Sequence, residues 1–146
     1  MVRAKGANHM GRFSIEIEVA NYADLIRAED GTLAPDKVRR QTIRALVDSG
    51  ASKLVLPKKL AKALGLPPGD KIKVRYVDGR LAQRREAEGV YVKLLGRHGT
   101  FTAIVEPKRE TALLGAIVLE DLDLLVDCPR ERVVPRDQRG AIYEIE

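Results

Sequence analysis

The residue in this chain best placed to do acid–base chemistry is Asp48. It follows the apolar pair Leu46-Val47 and precedes Ser49, Gly50 and Ala51. An apolar strand end running into a Ser-Gly turn holds a carboxylate at a fixed point, with a hydroxyl and backbone N–H groups beside it. A carboxylate held in this way can accept a proton from water. From ordinary residue frequencies, two apolar residues followed by Asp, Ser or Thr, Gly and Ala arise by chance on the order of once in a thousand chains of this size. Asp, Ser and Gly are also favoured in plain turns, so Asp48 alone is equally readable as the start of a hairpin turn. A second segment strengthens the chemical reading. Leu113-Leu114-Gly115 places an apolar pair and a glycine ahead of a helix-like stretch, and a glycine there lets a strand end pack closely against a neighbouring turn.

Short strands must position these residues. Phe13, Ile15, Ile17 and Val19 alternate with polar residues as on a half-buried strand. Residues 21–40 read as an irregular excursion, with turn signals at Asp30-Gly31 and Pro35. A second strand, roughly 39–47, runs into Asp48. The segment 52–57 is a further apolar strand, and Leu60, Ala63 and Leu64 have helical spacing, closed by Gly65 and Pro67. The alternating run 71–86 is interrupted by Asp78-Gly79, a type I′ hairpin signal. Strands at 89–95 and 100–107 flank a turn at 96–99. A strand end and a helix follow at 111–122, then a last hairpin turning at Pro129-Arg130. Eight short strands and two short helices predict an all-β closed barrel or sandwich.

The chain has 146 residues, 45% of them hydrophobic, enough for a core in one domain. Residues 1–10 have no periodicity and read as a tail, possibly expression-derived, ahead of a single domain at 11–146. No run of about 18 apolar residues and no signal-peptide pattern occurs, so no membrane association and a cytoplasmic location are expected. Cys128 is the only cysteine, and His9 and His98 lie far apart, which argues against a multi-thiolate zinc site or any other metal or cofactor. Cys128 is expected to be a buried or half-buried thiol, and His98 a surface residue. The net charge of +5 comes from scattered basic pairs, Arg39-Arg40, Lys58-Lys59, Arg84-Arg85 and Lys108-Arg109, with aromatics only 4% of the chain. No basic stripe with interleaved aromatics is present, and a nucleic-acid partner is not expected.

From about Phe13 to Pro135 these features resemble the retropepsin-like aspartic peptidases, and most closely their small prokaryotic members. The order is the same: an Asp-Thr/Ser-Gly turn, a flap hairpin, an apolar-apolar-Gly segment, a helix and a C-terminal strand. The resemblance implies an all-β, closed acid-protease barrel with one or two short helices and one lobe per chain. It implies that Asp48 is catalytic, that Ser49, Gly50 and Ala51 complete its loop, and that Leu113, Leu114 and Gly115 underpin it. Tyr76, Val77, Asp78, Gly79 and Arg80 would form the flap over substrate. Ser49 keeps the hydroxyl of the commoner threonine, the flap tip lacks a glycine-rich run, and residues 21–40 have no retroviral counterpart.

The implied reaction is peptide hydrolysis by water. Two carboxylates share one proton, because like charges about 3 Å apart do not both ionise. Only one Asp-Ser-Gly motif is present, so a homodimer would bring a second Asp48 to a two-fold axis. Residues 13–19 and 124–134 are candidate interface strands, although both read equally well as core strands. The alternative is a non-catalytic module of the same fold that binds an extended peptide by strand addition.

Overall fold

The computed structural model describes residues 12–146; the N-terminal tail at 1–10 lies outside the described residues. The nine strands are β1 (Arg12–Asn21), β2 (Arg40–Asp48), β3 (Leu54–Pro57), β4 (Pro68–Arg75), β5 (Leu81–Leu94), β6 (Arg97–Glu106), β7 (Ala112–Leu114), β8 (Leu124–Asp127) and β9 (Arg132–Pro135). Three short helices intervene: α1 (Tyr22–Glu29), α2 (Lys58–Ala63) and α3 (Ala116–Asp121), with a 3-10 turn at Pro35–Lys37.

Seven strands run in the order β1-β2-β7-β3-β6-β5-β4, and β1 also pairs with β5. That extra pairing closes β1, β2, β7, β3, β6 and β5 into a six-stranded barrel. The expected all-β closed barrel is therefore the fold. The alternation of β1 places Phe13, Ile17 and Val19 in the core beside Val47, Leu54, Leu56, Val92 and Leu114. Closure removes most free sheet edges, and the fully buried Val19, Val47 and Leu114 mark the barrel's interior.

Residues read as two strands, 80–86 and 89–95, are one. β5 continues through a register shift between Ala87 and Val90, where Gly89 adopts φ +68°. A glycine in the left-handed region makes a bulge that bends a strand without ending it. The bend lets the first half of β5 pair with β4 in a projecting hairpin while the second half joins the barrel wall against β1.

The turn at 96–99 is also relocated. Leu94 pairs with Arg97, and the two connecting residues, Leu95 and Gly96, have φ of 54° and 75°. This is the two-residue geometry expected at Asp78-Gly79, achieved here with a leucine that favours it poorly. His98 consequently lies on β6, exposed as expected, with its ring stacked on Tyr91 at 5.5 Å. Replacing the half-exposed Leu95 by Asn is expected to stabilise the fold by about 1 kcal/mol, read as a rise in the urea midpoint.

The excursion at 21–40 contains a helix. Asn21 caps α1 by accepting from the Asp24 N–H at 3.0 Å, and its Nδ2 donates to the carbonyls of Leu64 and Gly65 beyond the end of α2. Sequence reading missed α1 because its apolar face is short and Asp24 points inward. Asp24 is 2% exposed and accepts three hydrogen bonds from Arg39, from N, Nε and Nη2, at 3.0, 2.8 and 3.0 Å. The side-chain hydrogen bond from Arg39 is the largest cause holding the Asp24 carboxyl below its ordinary value. A depressed carboxylate contributes stability above its unfolded pKa of about 3.9, and the contribution is lost as pH falls through the folded value. Asp24→Ala should therefore cost about 2 kcal/mol at neutral pH, with wild type and variant converging in acid, as measured by urea unfolding at both pH values.

β8 and β9 form a separate two-stranded sheet. The loop between them carries Cys128, which is exposed rather than buried because it sits in the turn and not at the end of a packed strand. Asp123, at φ 58°, accepts hydrogen bonds from Arg136 Nε at 2.6 Å and the Ile142 N–H at 3.0 Å, tying the C-terminal segment to the end of α3. No helix among the described residues is long and apolar enough to cross a membrane.

Candidate active site

Asp48 ends β2, where the chain leaves the barrel wall. Its Oδ1 accepts the Gly50 N–H at 3.0 Å, and its backbone carbonyl accepts the Ala51 N–H at 3.0 Å. The turn is thus held by the carboxylate it presents. The side chain keeps 15% of its surface exposed, accessible to water but fixed in direction.

β7 locks the loop from beneath. It runs parallel to β2, with Ala45, Leu46 and Val47 opposite Ala112, Leu113 and Leu114, and Leu113 also pairs with Val55 of β3. β7 is therefore wedged between the two strands that enter and leave the Asp48 loop. Gly115 follows at the point of closest approach. A Cβ there would lie 2.4 Å from the Lys53 carbonyl oxygen and 2.8 Å from that of Ala51. Its backbone is extended, so proximity rather than left-handed geometry selects glycine. The first N–H groups of α3 complete the clamp: Ala116 donates to the Ala51 carbonyl at 2.8 Å and Ile117 to that of Ser52 at 3.0 Å. Ser49 is exposed, and its hydroxyl makes no hydrogen bond among the described residues, so within one chain it does not support the loop.

The β4–β5 hairpin holds the second group of expected residues. The Tyr76 N–H donates to the Arg80 carbonyl at 2.9 Å and the Gly79 N–H to that of Tyr76 at 2.8 Å. Only Gly79, at φ 87°, is left-handed, which makes this a five-residue loop with a glycine bulge rather than the two-residue type I′ turn. Asp78 instead uses its carboxylate to accept the Arg80 N–H at 2.9 Å. Val77 at the tip is 98% exposed. Tyr76 packs inward, with the Arg80 guanidinium 4.5 Å from its ring centroid and its hydroxyl donating to Glu106 at 2.5 Å. Burial, then the bond to Glu106, raises the Tyr76 phenol above its ordinary value. Arg84 Nε reaches the other oxygen of Glu106 at 2.6 Å.

Two arginines absent from the expected site belong beside it. Arg12 lies directly opposite Asp48 in the β1–β2 register, and its Nε is 3.4 Å from Asp48 Oδ2. Arg109, in the loop between β6 and β7, carries a guanidinium that interacts with the charges of Glu106, Arg12 and Asp48, and burial is the largest cause lowering its pKa. It also lines a cavity of about 470 Å³ with Tyr76 and Arg80. Strand registration could have pointed to Arg12; Arg109 read only as half of a scattered basic pair. Among the described residues no group of three or more His, Cys, Asp or Glu side chains could hold a metal ion.

A family model described as "gag-polyprotein putative aspartyl protease" matches residues 35–121, more than half of the chain. The chain belongs to this aspartyl protease family. The matched span begins at the 3-10 turn before β2 and ends with α3, so it contains the Asp48 loop, the β4–β5 hairpin and the β7–Gly115 clamp. Among solved structures, the EIAV protease complexed with the inhibitor HBY-793 is similar to 81% of this chain and 94% of its own, with a TM-score of 0.51 and 21% identity. At that identity the likeness concerns the fold. No curated protein matches the chain.

Proposed function

We propose that the chain is an aspartic endopeptidase whose site is completed by a second copy, with Asp48 from each chain forming the carboxylate pair. The observation that carries this reading is the clamp on Asp48. The β7 wedge, Gly115 and the α3 N–H groups hold one carboxylate rigidly at a water-accessible loop, and no second Asp-Ser-Gly loop exists in the sequence. Positioned carboxylates suit general acid–base hydrolysis. One ionised Asp48 would take a proton from water as it attacks the peptide carbonyl, and its protonated partner would donate a hydrogen bond to that carbonyl oxygen. The pair would titrate as a unit.

Two features support the two-chain form. The Ser49 hydroxyl has no partner within the described chain and stands at the loop's exposed edge. Of the two expected interface segments, β1 is paired with both β2 and β5, whereas the β8–β9 ribbon pairs with no other strand. The ribbon is therefore the better candidate for an isologous contact. Cleavage of a peptide pool, followed across protein concentration, tests the reading. A rate rising faster than the first power of concentration is expected; strict proportionality down to monomeric protein would exclude a shared site.

One observation favours a second reading. The Arg12–Asp48 ion pair occupies an oxygen that would otherwise receive the proton from water, which suits a module that grips extended peptides without cleaving them. Peptide binding with no cleavage at any protein concentration would select it.

A further inference from the structure

We propose that the groove between the flap hairpin and the β6–β7 loop selects acidic peptides, with Lys108 and Arg109 holding their Asp or Glu side chains. The inference rests on the peptidase reading for the location of the groove, but its test does not require cleavage.

The loop Pro107-Lys108-Arg109 lines two adjoining cavities. One, of about 470 Å³, faces Tyr76 and Arg80 of the flap; the other, of about 650 Å³, faces Arg44 of β2 and Lys59 of α2. Six cationic side chains line the two together, Arg44, Lys59, Arg80, Arg84, Lys108 and Arg109, against two carboxylates, Glu106 and Glu110. Two of the cations are already matched: Arg84 by Glu106 at 2.6 Å and Arg80 by Asp78 at 3.3 Å. The other four have no carboxylate partner at ion-pair distance among the described residues. Arg109 and Arg44 donate only to neutral carbonyls, of Thr111 at 2.6 Å and Ser14 at 2.9 Å.

Uncompensated cations beside a concave, partly desolvated wall attract anions more strongly than the same charges on an open surface. Arg109 is the partly buried one of the four, and it stands in the wall that the two cavities share. The lining suits an extended peptide better than a nucleic acid. The only aromatic ring lining either cavity is Tyr76, already packed by Arg80 and bonded to Glu106, and single-stranded nucleic acid needs free rings on which to stack.

The test uses the full chain carrying Asp48→Asn, so that peptides stay intact, and ten-residue fluorescent peptides differing only in Glu, Gln or Lys around a central apolar pair. Anisotropy is expected to show the Glu peptide binding about tenfold more tightly than the Gln peptide at low salt, the gap closing as salt is added. Lys108→Gln with Arg109→Gln should reduce the gap to about threefold or less. Lys59→Gln, at an exposed helix position, should lower Glu-peptide affinity roughly twofold and gives an independent reading if the double variant fails to fold. Equal binding of Glu and Gln peptides, no binding of either, a gap untouched in folded variants, or displacement of the Glu peptide by a short oligonucleotide at lower concentration would each overturn the proposal. Wild-type cleavage separates the two claims. Equal kcat/KM for Glu and Gln peptides sinks acid selectivity and leaves the peptidase, whereas acid-selective binding without cleavage does the reverse.

Discussion

Asp48→Asn is expected to lower peptide cleavage by about 10³-fold or more, the scale of a lost general base, while leaving the folded state intact. The amide is nearly isosteric with the carboxylate, and its oxygen can still accept the Gly50 N–H, so the loop keeps its local hydrogen bond. What it loses is the ability to take a proton and the charge facing Arg12. Thermal unfolding should therefore move little while the rate collapses. Mixing wild-type and Asp48→Asn chains adds a second reading. If the site is shared, excess variant should suppress wild-type activity by drawing it into mixed dimers, each with one carboxylate. Activity that survives the substitution, or a wild-type rate indifferent to excess variant, would remove Asp48 or the shared site respectively.

Gly115→Ala should have the next largest effect, and it should be felt in both stability and rate. The added methyl meets the backbone oxygens of Lys53 and Ala51 at 2.4 and 2.8 Å and the Lys53 nitrogen at 2.9 Å. Backbone of a clamped loop cannot swing aside as a flexible side chain can. Overpacking of this kind costs about 1 to 3 kcal/mol. The displaced atoms belong to the loop whose Ala51 N–H bonds the Asp48 carbonyl, so a shift of a few tenths of an ångström is passed to the carboxylate. Since a misplacement of about 1 Å costs on the order of 10²-fold in rate, a shift of this size should lower the rate by about tenfold. The control is Gly31→Ala, at φ 85° with nothing within 4 Å of the new methyl. It should lose about 1 kcal/mol through backbone strain and keep its activity per folded molecule. Equal loss of specific activity in the two variants would show that Gly115 acts through global stability alone.

The resistance of Asp48 to displacement comes from topology. Parallel pairing of β7 with β2 and antiparallel contact with β3 bring together segments 67 and 58 residues apart in sequence. The β1–β5 pairing closes the barrel that contains them. Such non-local pairings carry the largest loop-closure cost in folding. Destabilising the closure should thus disorder the Asp48 loop before the more local β5–β6 hairpin.

The features legible in the sequence were those with a local physical cause. Apolar alternation announced β1, Asp-Ser-Gly after an apolar strand end announced the Asp48 loop, and an apolar pair with glycine announced the β7 clamp. Where local signals competed, the reading slipped. The reading of separate strands at 80–86 and 89–95 gives way to a bulge within one strand, β5, because a left-handed Gly89 can bend a ladder and leave its flanks paired. Asp78-Gly79 carried the strongest two-residue turn signal, yet that geometry went to Leu95-Gly96, where the continuous β5–β6 ladder outweighed leucine's poor preference. Helix α1 was hidden because its anchor is a buried polar network, Asn21 and Asp24 with Arg39, and not an apolar stripe.

The charges around Asp48 belong to the tertiary structure alone. Arg12 reaches the carboxylate because the β1–β2 register sets the two residues opposite each other, a matter of pairing across 36 positions of chain. Arg109 is carried by the β6–β7 loop to the wall it shares with Tyr76 and Arg80, where its charge is felt together with those of Arg12 and Asp48. By itself the sequence determined that one carboxylate would stand on a rigid loop in an aspartyl protease barrel, since the causes of that loop are its own residues and the glycine that meets it. Which charges surround the carboxylate was decided only by folding, because side-chain neighbours across a barrel depend on register and closure, and neither is written in any one segment.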